Sequence, residues 1–493
     1  MAHTRSSTSK PTSKVALHST NEQRSLLPSK ESGLAGCKLT EKSCEIVASA
    51  LQSANSPLRE LDLSDNDLQK SGEKLLSALQ SPHCKLETLR VAGCKLTDES
   101  YKVLASAVQS AVSLTELDVG DNHMSVYAVQ LLKTALLHTD CKLQTLRLSP
   151  NLISGDGCVC LAVTLKLNPS CATRLDLSNS PPEGPAQELL LATWRNPEHQ
   201  VESLRLAGCK LTDKSCEVVA DALQSANPLL ELDLSDNELG DSGVEFLSKG
   251  LSSPHCKLQM LRLAGCKLTD ESYKVLASAV QSAVSLTELD VGDNHMSVYA
   301  VQLLKTALLH TDCKLQTLRL AGCKLTDKSC EVVADALQSA NPLLELDLSD
   351  NELGDSGVQF LSKGLSCPHC KLQMLRLSGC QISHKGCSFL ASALKSNPSY
   401  LKELELSYNH PGDSGVRELT DRLNDPKCKL ETLRCDHGGE CRLKPGLWKY
   451  AYAPNPAAAA SQAHALQQHK PFHNNIVLLQ MDSSSSVGAR LMP

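Results

Sequence analysis

Residues 206–239 read LAGCKLTDKSCEVVADALQSANPLLELDLSDNEL, and residues 320–353 read the same thirty-four letters. Residues 92–148 likewise recur unchanged as 264–320. A chain that copies itself has to be read by its period before any single motif is trusted. Aligned on L-x-x-L-x-L-x-x-[N/C]-x-[L/I], strand motifs begin at Leu58, Leu86, Leu114, Leu143, Ala172, Val201, Leu229, Leu258, Leu286, Leu315, Leu343, Leu372, Leu401 and Leu430. The spacing is 28 or 29 residues throughout, often in alternation.

Within each motif the second and third leucines alternate with polar residues, as in Leu258-Gln-Met-Leu261-Arg-Leu263. That is the strand period, and it sends the leucines to one side. A helical stretch follows, as in Thr212–Leu223, where Cys216, Val219, Ala220 and Leu223 fall at i, i+3, i+4 and i+7. Thr212 or Asp213 can cap its start, Pro228 lies beyond its end, and alternate repeats start their helix near an acid such as Asp241. No unit buries its leucines alone, whereas a stack of them does. This is the leucine-rich repeat pattern. It predicts an α/β solenoid, a horseshoe with a parallel β-sheet on the concave face and helices on the convex face. The alternating 28/29-residue repeat with Asn and Cys at the ninth position resembles the ribonuclease-inhibitor class.

Composition narrows the function classes. The net charge of −6 over 493 residues gives no electrostatic case for nucleic acid. No apolar run reaches the roughly 18 residues of a membrane span, and the N-terminus has no signal-peptide core. GxxxxGK[ST], HExxH, GxSxG and a post-strand GxGxxG are all missing, so the expectation is a non-enzymatic chain without cofactor, metal or nucleotide. The thiols point to a reducing, cytoplasmic setting.

The chain has 22 cysteines. Six take the ninth motif position (Cys37, Cys94, Cys209, Cys266, Cys323, Cys380), six stand two residues before a strand motif (Cys84, Cys141, Cys256, Cys313, Cys370, Cys428), and five lie on the helix face (Cys44, Cys158, Cys216, Cys330, Cys387). Cysteines of one register are at least two repeats apart, about 10 Å, too far for a disulfide. They are expected to be buried free thiols. Cys367-Pro-His-Cys370 and Cys435–Cys441 each look like half a zinc site with no second half at finger spacing.

The fifth motif position should face the hollow. In order it holds Asp62, Arg90, Asp118, Arg147, Asp176, Arg205, Asp233, Arg262, Asp290, Arg319, Asp347, Arg376, Glu405 and Arg434. Acid alternates with base, so each arginine but the last is expected between two ladder carboxylates. This is either a self-neutralising scaffold or a recognition surface, and the two are compatible. The third position varies beside it (Glu231, Met260, Glu288, Thr317, Glu345, Met374) and would set specificity, and the candidate partner-binding residues are Glu231, Asp233, Met260, Arg262, Glu288, Asp290, Arg319, Glu345, Asp347, Met374 and Arg376. The unit at 149–206 breaks step through Asn179–Pro185 and Trp194, which reads as drift.

Residues 435–451, CDHGGECRLKPGLWKYA, resemble the junction at which fish NOD-like receptors pass from their repeats into a PRY-SPRY domain. The match lies in Asp436–Gly439 and Arg442–Leu447. The resemblance implies the repeat region of a larger NACHT-containing receptor, cut at both ends, acting in innate immune sensing or regulation through a protein partner on the concave face. No NACHT P-loop is present, so ATP-driven oligomerisation is not carried over. The expected organisation is a Ser/Thr-rich disordered arm (1–33), about fourteen repeats (34–434), the junction remnant (435–451) and a low-complexity disordered tail (452–493). Two alternatives stand beside this reading: a ribonuclease-inhibitor-like protein inhibitor, and a truncated product with little independent function. The fifth-position ladder, seven acids to seven bases, argues against tight inhibition of a cationic pancreatic-type ribonuclease.

Overall fold

A computed structural model describes residues 31–110, 113–151, 153–180, 191, 200–225, 228–435 and 476–477. The expectations for residues 1–30, for the junction beyond Cys435, and for all of the tail but Ile476 and Val477 lie outside the described residues, as do most of Asn179–Pro185 and Trp194.

The chain forms two compact units, residues 1–209 and 210–493. In the first, three-residue strands β1 (Glu31–Gly33), β2 (Glu60–Asp62), β3 (Thr88–Arg90), β4 (Glu116–Asp118), β5 (Thr145–Arg147), β6 (Arg174–Asp176) and β7 (Ser203–Arg205) pair in parallel, each with the next in sequence. In the second, β8 (Glu231–Asp233), β9 (Met260–Arg262), β10 (Glu288–Asp290), β11 (Thr317–Arg319), β12 (Glu345–Asp347), β13 (Met374–Arg376), β14 (Glu403–Glu405) and β15 (Thr432–Arg434) do the same. A last strand, Ile476–Val477, pairs in parallel with β15. β1 stands in register with β2, Ser32 opposite Leu61.

The central leucine of every strand from β2 to β15 is buried, and the leucine or valine after each strand from β2 to β14 joins it. Each such side chain contributes on the order of 2 kcal/mol. Helices such as Asp98–Ser110 and Asp270–Ser282 pack behind, burying Tyr101 and Leu104, or Tyr273 and Leu276. Neighbouring strands sit about 4.8 Å apart and packed helices about 8–10 Å, so within each unit the stack has to curve with its strands inward. None of the described helices is long and apolar enough to cross a membrane.

The alternation of Asn and Cys at the ninth position has a hydrogen-bonding reason. Cys94, Cys209, Cys266, Cys323 and Cys380 are buried, and each thiol donates to a carbonyl of the preceding repeat at 3.1–3.3 Å. Asn122 does this with its amide, donating to Val91 O at 2.9 Å. Its Oδ1 also accepts from the backbone N–H groups of Cys94 and Leu96. In a Cys repeat the corresponding N–H goes to the cysteine's own carbonyl, as in Leu68 N–H to Cys94 O at 3.1 Å. The irregular unit places Ser180 here, and its hydroxyl accepts from the Asn151 N–H.

Helix capping also runs between repeats. Asp241 does not cap its own helix, Gly240–Leu251, whose N-cap is Leu239 with no side-chain bond. Its carboxylate accepts from the N–H and hydroxyl of Thr269 and from the Ser272 hydroxyl, at the start of the next helix. Asp355 does the same for Ser383 and Gly386.

Candidate functional site

The fifth-position residues lie in register as the pattern requires: Asp233 beside Arg262, Arg262 beside Asp290, Asp290 beside Arg319, Arg319 beside Asp347 and Asp347 beside Arg376. Their side chains pair differently from the expectation. Each acid turns to its own backbone two residues on. Asp233, Asp290 and Asp347 accept from the N–H of Ser235, Gly292 and Ser349 at 2.9–3.0 Å, and Glu405 accepts from Ser407 at 3.1 Å. Asp62, Asp118 and Asp176 behave alike in the first unit. This local bond closes the turn that ends the strand.

Arg90, Arg147, Arg262 and Arg319 therefore turn to glutamates of the third position, whereas Arg434 stays with Glu405 of its own row at 3.5 Å. Arg262 donates to Glu288 at 3.2 Å and stands 3.9 Å from Asp233, while Arg319 closes on the same Glu288 oxygen from the other side. Glu116 is held in the same way between Arg90, at 3.0 Å, and Arg147. The ladder is thus a zigzag between two rows. The third position was read as variation flanking the ladder. Its role was signalled by a glutamate at Glu60, Glu116, Glu231, Glu288, Glu345 and Glu403, always on strands that alternate with the arginine strands. The turn role was signalled by Ser or Gly two residues after every ladder acid.

Around residues 345–405 the zigzag is unsaturated. Among the described residues Glu345, Arg376 and Glu403 enter no ion pair, although their register is that of Glu288 and its arginines. Met374 sits between Glu345 and Glu403, and Met260 between Glu231 and Glu288, both half-buried. Thr317 lies between Glu288 and Glu345. On β8–β15 the third and fifth rows together present eight carboxylates (Glu231, Asp233, Glu288, Asp290, Glu345, Asp347, Glu403, Glu405) and four guanidiniums (Arg262, Arg319, Arg376, Arg434). Counting only the fifth row hid this excess of acid.

Three of these carboxylates and one turn aspartate are shifted from their ordinary values, and not all in one direction. Burial pushes Asp118 and Asp290 up to about 6, against the N–H bonds of Gly120 and Gly292 and the nearby arginines. Asp350, in the turn after β12, is also raised to about 6 by burial and by the charges of Asp347 and Asp293. Burial alone would raise Glu116 too, but the hydrogen bond from Arg147 and the charges of Arg147 and Arg90 hold it below its usual value. An acid whose folded pKa is raised binds its proton more tightly in the folded chain, so stability is gained as pH falls from about 6 toward 4. The lowered Glu116 contributes stability above its unfolded value, which is lost as pH falls further. Stability should therefore rise as pH falls from 7 toward about 4.5, with each raised aspartate contributing on the order of 1 kcal/mol relative to pH 7. Urea midpoints from pH 4 to 8 measure this. Asp290→Asn, which keeps an acceptor for Gly292, should stabilise the chain at pH 7 and flatten the profile.

Among the described residues no cluster of His, Cys, Asp and Glu could hold a metal ion, and no two cysteines are bonded. The ninth-position thiols Cys94, Cys266 and Cys323 are pushed by burial up to about 12, so they stay protonated and inert.

The family model described as Leucine Rich repeat matches residues 54–77, 83–105, 225–248, 311–334, 339–362, 369–391 and 397–419. The ribonuclease inhibitor of Mus musculus is 37% identical over 401 residues, covering 81% of this chain and 87% of that protein. That of Sus scrofa is 38% identical over the same shares. The NACHT, LRR and PYD domains-containing protein 12 of Homo sapiens is 40% identical over 338 residues, 69% of this chain and 32% of that protein. With the α/β solenoid, the alternating Asn and Cys and these relatives in hand, the chain belongs to the ribonuclease-inhibitor-type leucine-rich-repeat family, which ribonuclease inhibitors share with the repeat regions of NACHT, LRR and PYD domains-containing proteins.

Proposed function

We propose that the chain is a non-enzymatic scaffold that docks a basic protein surface on its strand-lined face, within residues 229–435, in the manner of a NOD-like receptor's repeat region. The excess of carboxylates over guanidiniums on β8–β15 carries this reading. Such a face attracts cations, repels nucleic acid, and speeds encounter with a basic partner. Glu345, Arg376 and Glu403 surround Met374, so the contact would centre there, with charges whose engagement displaces no internal ion pair. Innate immune regulation in the cytoplasm is the setting that the resemblance and the relatives support.

The same acid excess favours a second reading. Relatives spanning most of this chain are named as inhibitors of ribonucleases, and a cationic enzyme suits an acidic hollow. One titration separates the two. The full chain is mixed with a basic pancreatic-type ribonuclease while binding and RNA cleavage are followed across salt concentrations. Salt-sensitive binding without inhibition supports the scaffold, and nanomolar inhibition establishes the inhibitor. If neither this enzyme nor other cationic proteins bind at low salt, basic-partner docking is wrong. Glu345→Lys with Glu403→Lys should weaken binding by about tenfold or more and reduce its salt dependence.

A further inference from the structure

Cysteines of one register are too far apart to meet, but Cys171 belongs to no register. It stands one residue before its strand motif, while Cys141 stands two before the preceding one. In the parallel register of β5 and β6, residue 143 faces residue 172, so Cys171 is offset from Cys141 by a single residue on the adjacent chain. Chains about 4.8 Å apart with a stagger of about 3.3 Å put the Cα atoms roughly 6 Å apart, inside the range a disulfide spans. The sulfurs lie 3.7 Å from each other.

Other repeats show what this place normally holds. Ser113 and Ser285 take the position of Cys171, one residue before the strand motif, and both donate to carbonyls of the preceding repeat. Cys171 keeps that role, its thiol lying 3.5 Å from Leu143 O. The cysteines that precede Ser113 and Ser285, Cys84 and Cys256, therefore face a hydroxyl where Cys141 faces a thiol.

We propose that Cys141 and Cys171 are a peroxide-reactive dithiol, a modification site that closes into a disulfide between adjacent repeats of the first unit. Cys141 is partly exposed and Cys171 is buried, which assigns their roles. The Cys171 thiol would hydrogen-bond a Cys141 thiolate and lowers its pKa, so Cys141 is the nucleophile. Its sulfur attacks one peroxide oxygen; an S–O bond forms, the O–O bond breaks, and the departing hydroxide takes a proton to become water. The Cys171 sulfur then attacks the Cys141 sulfur. The S–S bond forms, the S–O bond breaks, and the hydroxide leaves as a second water with the Cys171 proton. Two thiols are oxidised by two electrons and one peroxide is reduced to two waters.

Limited hydrogen peroxide on the native full chain, followed by alkylation in denaturant and peptide mapping, tests this. The expected first product is a cross-linked pair of peptides holding Cys141 and Cys171, lighter by two hydrogens, while Cys94 and Cys266 remain alkylated. Cys171→Ser, which copies Ser113 and Ser285 and so preserves the fold, should leave Cys141 as a sulfenic acid that dimedone traps. Cys141→Ser should leave Cys171 a free thiol under the same treatment. The proposal is overturned if both thiols survive after Cys84, Cys160 or Cys428 has oxidised. It is equally overturned if Cys141 is found bonded to any cysteine other than Cys171.

Discussion

Asn122→Ala should destabilise the chain by about 3–5 kcal/mol, far more than removing the cysteine that holds the same motif position one repeat earlier. The asymmetry follows from what each side chain satisfies. Without the Asn122 amide, the buried N–H groups of Cys94 and Leu96 lose their acceptor and the Val91 carbonyl loses its donor. Val119 O keeps a bond from Asn151, and Gly120 O keeps one from the Gly93 N–H, so neither adds to the loss. Three orphaned backbone groups at about 1–3 kcal/mol each set the expected range, reduced where water enters the space left by the amide. Cys94→Ala removes only a weak donor to Leu63 O, which Asn66 continues to satisfy at 2.8 Å. That change should cost about 1 kcal/mol, mostly lost packing. Urea denaturation of the two variants beside the parent decides the matter. Equal losses would mean that the ninth position is a matter of volume, and that the alternation of Asn and Cys has no hydrogen-bonding cause.

Much of the architecture can be read from the sequence because the solenoid is local. Within each unit a strand pairs with the next one along the chain, so a period and one repeat of hydrophobic pattern specify the neighbours, as Leu289 beside Leu261 and Leu318 illustrates. What escapes such a reading is the choice a side chain makes among several partners in reach. Asp290 and Glu288 both point away from the core, two residues apart on one strand. Only the geometry shows that the shorter side chain folds back to Gly292 while the longer one reaches Arg262 and Arg319. Asp241 is a similar case: its position suits its own helix, yet its carboxylate serves the next one. Cys171 was hidden for another reason. It lies in the unit that departs from the period, where extrapolating the pattern loses its warrant.

Arg319→Glu should be the most damaging single change on the strand-lined face, costing about 2–4 kcal/mol at low salt. Arg319 closes on Glu288, and burial of its guanidinium is offset by the charges of Glu288, Asp290 and Asp347, which together raise its pKa. A glutamate in its place would face Glu288 along the zigzag and stand in register between Asp290 and Asp347, the latter buried. The variant thus loses a charge-assisted bond and gains three like-charge neighbours in a half-buried setting. Arg319→Met removes the bond without adding a charge and fills the space with an apolar chain, so about 1 kcal/mol is expected. The two variants should also differ in their response to conditions. Salt screens the repulsion in the glutamate variant, and lowering the pH toward 5 neutralises part of the cluster, since Asp290 already holds its proton up to about 6. Its deficit should therefore shrink in both cases, while the methionine variant barely moves. Denaturation of parent and variants at low and high salt, at pH 7 and pH 5, gives the comparison. A glutamate variant as stable as the parent at low salt and pH 7 would show that the zigzag does not support the scaffold, leaving recognition of a partner to account for the arginines.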